Sequence, residues 1–233
     1  MNNTTLQIKF KQRLNKLASN DYDNIECWQI VEAFNKAQIE WVRRQLHGNN
    51  VFKEGDEQSK TLIDDLQELL VTSNLQGIES DNVYVSNSLP DNYLSFKRVS
   101  TLAKTECCPP RDMTTYLVEE ANIDIILRDP LKRPDYDWGE TICILSGGKL
   151  KIFSNDDFTV FKPRLTYYRS PRNIQIAGCK DPYTGLESTA DVSCEFKDDI
   201  AEILIDEAVA IIAGDIMDVT NYQREIAAGQ RNT

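Results

Sequence analysis

The 233-residue chain is predicted to be an α+β protein: N-terminal helices and a long C-terminal helix form a helical bundle, with a β-rich region between them. Three observations predict this class. Apolar residues recur every three or four positions through the first 70 residues, short apolar runs alternate with polar residues in the middle, and a second helical stripe closes the chain. One composite domain over 1–233 is expected, with a helical part at 1–75, a β-rich part with loops at 76–190, a helical part at 191–223 and a polar tail at 224–233. At this length a single domain buries roughly 70 % of its unfolded surface.

The first helix is read in "TLQIKFKQRLNKLAS", where Leu6, Phe10, Leu14 and Leu17 share one face and Lys9, Lys11, Gln12, Arg13 and Lys16 surround it. After the turn "NDYDN", Asp23 and Glu26 have capping-box spacing and open a second helix that runs to His47. Its stripe is Ile25, Trp28, Val31, Phe34, Ile39, Val42 and Leu46, and Gly48 suits the closing left-handed position. Trp28 and Trp41 read as core residues, with a partner surface as the alternative. Past the solvated loop "VFKEGDE", "QSKTLIDDLQELL" supplies a third helix with Leu62, Ile63, Leu66, Leu69 and Leu70 inward. The neighbour these helices need is "EFKDDIAEILIDEAVAIIAGDIMDV", with Phe196, Ile200, Leu204, Ile211 and Ile212 as its stripe.

Between the helices, "NVYVSN", "YLSFKRV", "TICIL" and "KLKIF" alternate as strands do. The clearest hairpin is "ETICILSGGKLKIFS", where Gly147 and Gly148 supply the positive φ of a tight turn. "ECCPPRD" breaks the chain, and the prolines of "LRDPLKRPDYDW" predict an exposed arm or loop.

Composition excludes several classes. A hydrophobic fraction of 41 % rules out a wholly disordered chain, and no 18-residue apolar run or signal-type N-terminal segment predicts export or membrane insertion. The formal net charge of -11 opposes whole-surface binding to nucleic acid or anionic lipid. The irregularly spaced Cys27, Cys107, Cys108, Cys143, Cys179 and Cys194 read as reduced thiols, and the lone His47 as a helix-end residue, so no metal or cofactor is expected. "LSGGKLK" is a hairpin, because Leu150 stands where a phosphate loop needs Ser or Thr. The pairs Asp64–Asp65, Asp156–Asp157 and Asp198–Asp199 do not converge as a hydrolase's carboxylates must, since helical neighbours diverge by about 100°. The chain is expected not to be an enzyme.

In this order, "LNKLASNDYDNI", "WQIVEAFNKAQIEWVRRQLHG", "GDEQSKTLIDDLQ", "LTYYRSPRNIQI" and "EFKDDIAEILIDEAVAIIAGDI" resemble the virion ring, or head-to-tail connector, proteins of crAss-like bacteriophages. The resemblance covers about residues 6–70 and 137–223. It implies a homo-oligomeric ring of about twelve subunits made in the bacterial host cytoplasm and built into the virion. Such a ring sits between the portal protein and other tail or ring proteins, and DNA passes through it without sequence-specific contact.

A head-to-tail ring needs two different, complementary surfaces on each subunit. The basic stretch "TVFKPRLTYYRSPRNIQI" offers one through Lys162, Arg164, Arg169 and Arg172, with Tyr167 and Tyr168 as anchors. Asp198, Asp199, Glu202 and Asp206 offer the other. Two rivals for the strand are nucleic-acid contact and an ordinary strand facing core and solvent alternately. The rival function is a soluble acidic binding or scaffolding module outside the virion.

Overall fold

The computed structural model describes residues 1–15, 25–47, 64–105, 108–215, 223 and 226–227. The class is mixed α+β, with N-terminal helices, a large curled sheet and a C-terminal helix. Where one composite domain was expected, the chain divides into two compact units: Met1–Glu68 with Pro171–Thr233, and Leu69–Ser170.

In the helical unit, α1 (Asn3–Leu14) is capped by Asn2, whose side chain accepts from the Thr5 amide, and buries Leu6, Phe10 and Leu14 as the spacing predicts. Leu17 and Asp23 lie outside the described residues. The second helix, α2 (Cys27–His47), begins at a reach-back contact three residues on from the predicted box: the Glu26 amide donates to Gln29 Oε1 at 3.0 Å. Ile30, Phe34, Trp41 and Val42 are buried on it.

Of the predicted third helix, Leu62 and Ile63 lie outside the described residues. Residues 64–66 are helical, Gln67–Leu69 tighten into a 3-10 turn, and Leu70 is already strand and 40 % exposed. Leu66 and Leu69 are buried as expected.

The C-terminal helix, named α4 because a short α3 intervenes in the other unit, spans Asp198–Asp215. Ile200, Ala201, Leu204, Ile205, Ala208, Val209, Ile212 and Ala213 are all buried, more of its circumference than one stripe covers. Contacts with both α1 and α2 make it the central helix of its unit. Small alanines let the neighbours approach, and Phe196, just before it, meets Trp41 edge to face at 5.3 Å.

Residues 171–190, expected in the β-rich part, and 191–197, expected in the C-terminal helical part, together belong to this unit as an extended segment with two isolated bridges, Gln175–Val192 and Lys180–Glu187. Buried Asn3 fastens the segment by donating to the Gln175 and Val192 carbonyls and the Asp191 carboxylate. Cys27 and Cys179, expected as reduced thiols, form a disulfide with Cα atoms 5.8 Å apart. Their separation of 152 residues hides a proximity that exists only once α2 packs against this segment.

The β unit is one eight-stranded sheet. Its strands are β1 (Leu70–Asn74), β2 (Gly77–Ser80), β3 (Val83–Ser86), β4 (Tyr93–Lys104), β5 (Arg111–Leu117), β6 (Glu140–Ser146), β7 (Lys149–Phe153) and β8 (Thr159–Arg169). The helix α3 (Ile123–Arg128) opens the β5–β6 connection, where Leu131 and Trp138 are exposed as an arm should be. The predicted hairpin is present as β6–β7, with φ of 59° at Gly147 and 71° at Gly148.

Strand order is β1-β8-β4-β5-β6-β7-β3-β2, antiparallel except for β5–β6. β1 and β2 stand at opposite ends, yet Asn74 and Gly77 are only three residues apart, which limits their separation to about 11 Å. The sheet is therefore curled until its ends meet. Leu70–Asn74 pairs with β8, the Leu75 amide donates to the Pro163 carbonyl at 2.9 Å, and Gly77–Ser80 pairs with β3. At the seam the Val160 amide lies 3.1 Å from both Glu79 carboxylate oxygens. The interior is filled by Val99, Met113, Cys143, Leu150, Ile152, Leu165 and their neighbours, so the barrel is a packed core.

Candidate partner interface

Strand β8 is built for two faces but is interrupted. Lys162 has φ of 45°, and across it the β4 partners step from Ser100↔Arg164 to Leu102↔Phe161, one residue more on β8 than on β4. This bulge sits where β1 pairing ends and leaves Lys162 exposed. Among the described residues no carboxylate is within ion-pair reach of its ammonium, which lies 4.9 Å from the Phe161 ring.

The two tyrosines predicted as interface anchors are both buried within their own chain. Tyr167 is 3 % exposed, packs 5.7 Å from Tyr93 inside the barrel and donates to Asn92 Oδ1 at 2.8 Å. Tyr168 is 5 % exposed, with the Lys97 ammonium 5.9 Å from its ring. Both bury large aromatic area within their own chain, which outweighs leaving it to water.

Much of the predicted charge pairing is likewise internal. Glu202 takes Lys9 and Arg13, and Asp206 takes Arg13, so α1 supplies the basic partners of α4. Arg172 pairs with Glu195 at 3.1 Å, and Asp198 with the N-terminal ammonium, which holds its carboxyl below the usual carboxylate range. Arg164 remains half-exposed and only 3.6 Å from a well-solvated Asp112, a weak pair. Arg169 is partly buried at the end of β8.

Sequence reasoning missed the neighbours of β8. Arg98 and Lys104 alternate with buried Val99, Thr101 and Ala103 on β4, so they share the outer face with Arg164. Lys97, at a register shift, joins them. "SFKRV" held the signal, but nothing in it says that β4 lies beside β8.

On the helical unit Asp199 is exposed, as Asp198 is, and it groups with Asp64 and Asp65 around Lys197. Burial together with the charges of Asp199 and Asp64 pushes the Asp65 carboxyl up against the pull of Lys197. The β unit carries twelve basic and fourteen acidic residues, leaving the helical unit fourteen basic and twenty-three acidic. Charge asymmetry thus divides by unit.

Among the described residues no group of three or more His, Cys, Asp and Glu side chains could hold a metal ion, and no helix is long and apolar enough to cross a membrane. No protein-family model matches the chain, and no curated protein sequence matches it.

Proposed function

We propose that this chain is a non-enzymatic virion protein that closes into a homo-oligomeric ring, about twelve subunits in number, between portal and tail. Genomic DNA passes through the ring without sequence-specific contact. The observation that carries the reading is the division of charge. A nearly balanced β unit shows Lys97, Arg98, Lys104, Lys162 and Arg164, while the helical unit holds most of the excess acid and exposes Asp64 and Asp199 beside a half-buried Asp65. Two unlike, complementary surfaces on one subunit suit a heterologous contact, and cyclic closure follows when the rotation permits. The resemblance of five segments to connector proteins supports the choice of particle.

The Cys27–Cys179 disulfide favours the virion over a soluble scaffold in a reducing cytoplasm, because such bonds persist where particles travel after release. Quantitative mass spectrometry of purified virions tests the reading: a stoichiometric copy number near the portal's is expected. Detection in infected-cell lysate with none in particles overturns it in favour of a scaffold outside the virion. Charge reversal at Arg98, Lys104 and Arg164 leaves a folded chain by circular dichroism and abolishes the ring. Loss of single-stranded nucleic-acid binding with normal assembly would instead make the face a nucleic-acid platform.

A further inference from the structure

We propose that the cleft between the first turns of α2 and the Asn173–Ser188 segment receives a basic side chain from a second copy of this chain, the donor being Lys162. The proposal rests on the ring reading and supplies a specific contact for it. The cleft has a volume of about 380 Å3 and is lined in part by Trp28, Glu32, Asp181, Pro182 and Tyr183. Its lining holds two carboxylates and two large aromatic rings but no Lys or Arg. That combination attracts a cation through ring quadrupoles and charge together, and it repels phosphate.

One wall is held in place in advance. The Asp181 carboxylate accepts from the Tyr183 amide at 2.8 Å and the Thr184 amide at 3.4 Å, while the Asp181 amide donates to the Leu186 carbonyl at 2.9 Å. The Gly185 amide closes the turn onto the Asp181 carbonyl at 2.8 Å with φ of 70°, and Cys179 ties the base of the wall to Cys27 on α2. These bonds bury neither apolar side chain of the turn: Tyr183 is 81 % and Leu186 72 % exposed. A turn so fastened, with its apolar groups in water, loses little further freedom when a partner arrives. Trp28 is fixed in turn by its indole N–H, which donates to Glu26.

The β unit of a second copy has the matching chemistry. Lys162 stands out of the strand ladder at a left-handed bulge, exposed and with no carboxylate partner among the described residues, and it already lies beside an aromatic ring. A lysine poised at Phe161 exchanges that ring for two rings and two carboxylates.

A charge swap in the full-length chain tests the contact. Sedimentation equilibrium is run on wild type, Glu32→Lys, Lys162→Glu and the double variant, with circular dichroism confirming folding. Each single reversal is expected to weaken self-association about tenfold or more, and the double to recover most of the loss. Tyr183→Ala weakens association without any charge change, and reduction of the disulfide does the same by releasing the wall. A wild-type chain that stays monomeric at every concentration overturns the proposal, as do single variants that associate normally or losses that simply add in the double. If virions contain the ring but the swap does not couple, the cleft contact falls and the ring reading stands. If the swap couples but virions lack the chain, the connector reading falls and the contact stands.

Discussion

Gly77 shows how one residue can determine the closure of a sheet. A Cβ there would lie 2.1 Å from the Val85 carbonyl oxygen and 2.8 Å from the Ser86 Cα, both backbone atoms of the strand it pairs with. Gly77→Ala must therefore displace β2 from β3, and a loss of about 1–3 kcal/mol is expected in urea denaturation. Cysteine chemistry gives a second expectation at this scale. Burial in the barrel pushes the Cys143 thiol up to about 12, and burial raises Cys194 as well. Alkylation of the native protein without reductant should leave both unmodified. On unfolding without reductant both should react, while Cys27 and Cys179 remain protected; peptide mapping by mass spectrometry reads each site.

Among the elements, α4 and the 171–197 segment depend on different forces. The helix is held by apolar burial on several sides and by Lys9, Arg13 and Arg44 against Glu202, Asp206 and Glu207. Phe10, fully buried on α1, carries part of this packing, so Phe10→Ala should cost about 3–5 kcal/mol in thermal or chemical denaturation. The 173–192 stretch of the segment lacks a continuous ladder and is fastened by two isolated bridges, by the Asn3 and Asn35 contacts and by the disulfide. Replacing Cys27 and Cys179 together by Ser should cost about 2–5 kcal/mol. Hydrogen exchange should accelerate most in 173–192, while the barrel amides keep their protection.

Across the whole molecule, stability should respond to acid in two opposite phases. Burial raises the Glu207 carboxyl despite Arg44 beside it, and Asp65 is raised as well, so the folded chain binds these protons before the unfolded one does. Lowering pH from neutral through that range adds stability. Asp181, Asp191 and Asp198 are depressed, Asp181 first by the Tyr183 amide, Asp191 by Asn3 and Asp198 by the N-terminal ammonium. Their contribution is present above the ordinary 3.8 and is lost as pH falls through their folded values. Urea midpoints should thus rise slightly on mild acidification and fall below about pH 4; Glu207→Gln should reduce the rise, leaving the part due to Asp65, and leave the fall unchanged.

The sequence by itself determined the class, α1, α2 and α4, the β6–β7 hairpin and the buried faces of Leu6, Phe10, Leu14 and Leu204. Each is set by spacing within one segment, where a 3.6- or 2-residue period and a glycine turn act locally. Tertiary structure alone decided which strands adjoin, and hence that Arg98 and Lys104 share a face with Arg164 while Tyr167 fills a core. It also decided that Glu202 and Asp206 face α1, that Cys27 meets Cys179, and that Trp28, Glu32 and Tyr183 line one cleft. These are contacts between residues far apart in the chain, and no periodicity encodes them. A charge pattern says that an arginine needs a carboxylate; only packing places a particular one within reach, and here much of the predicted interface found its partners inside the chain.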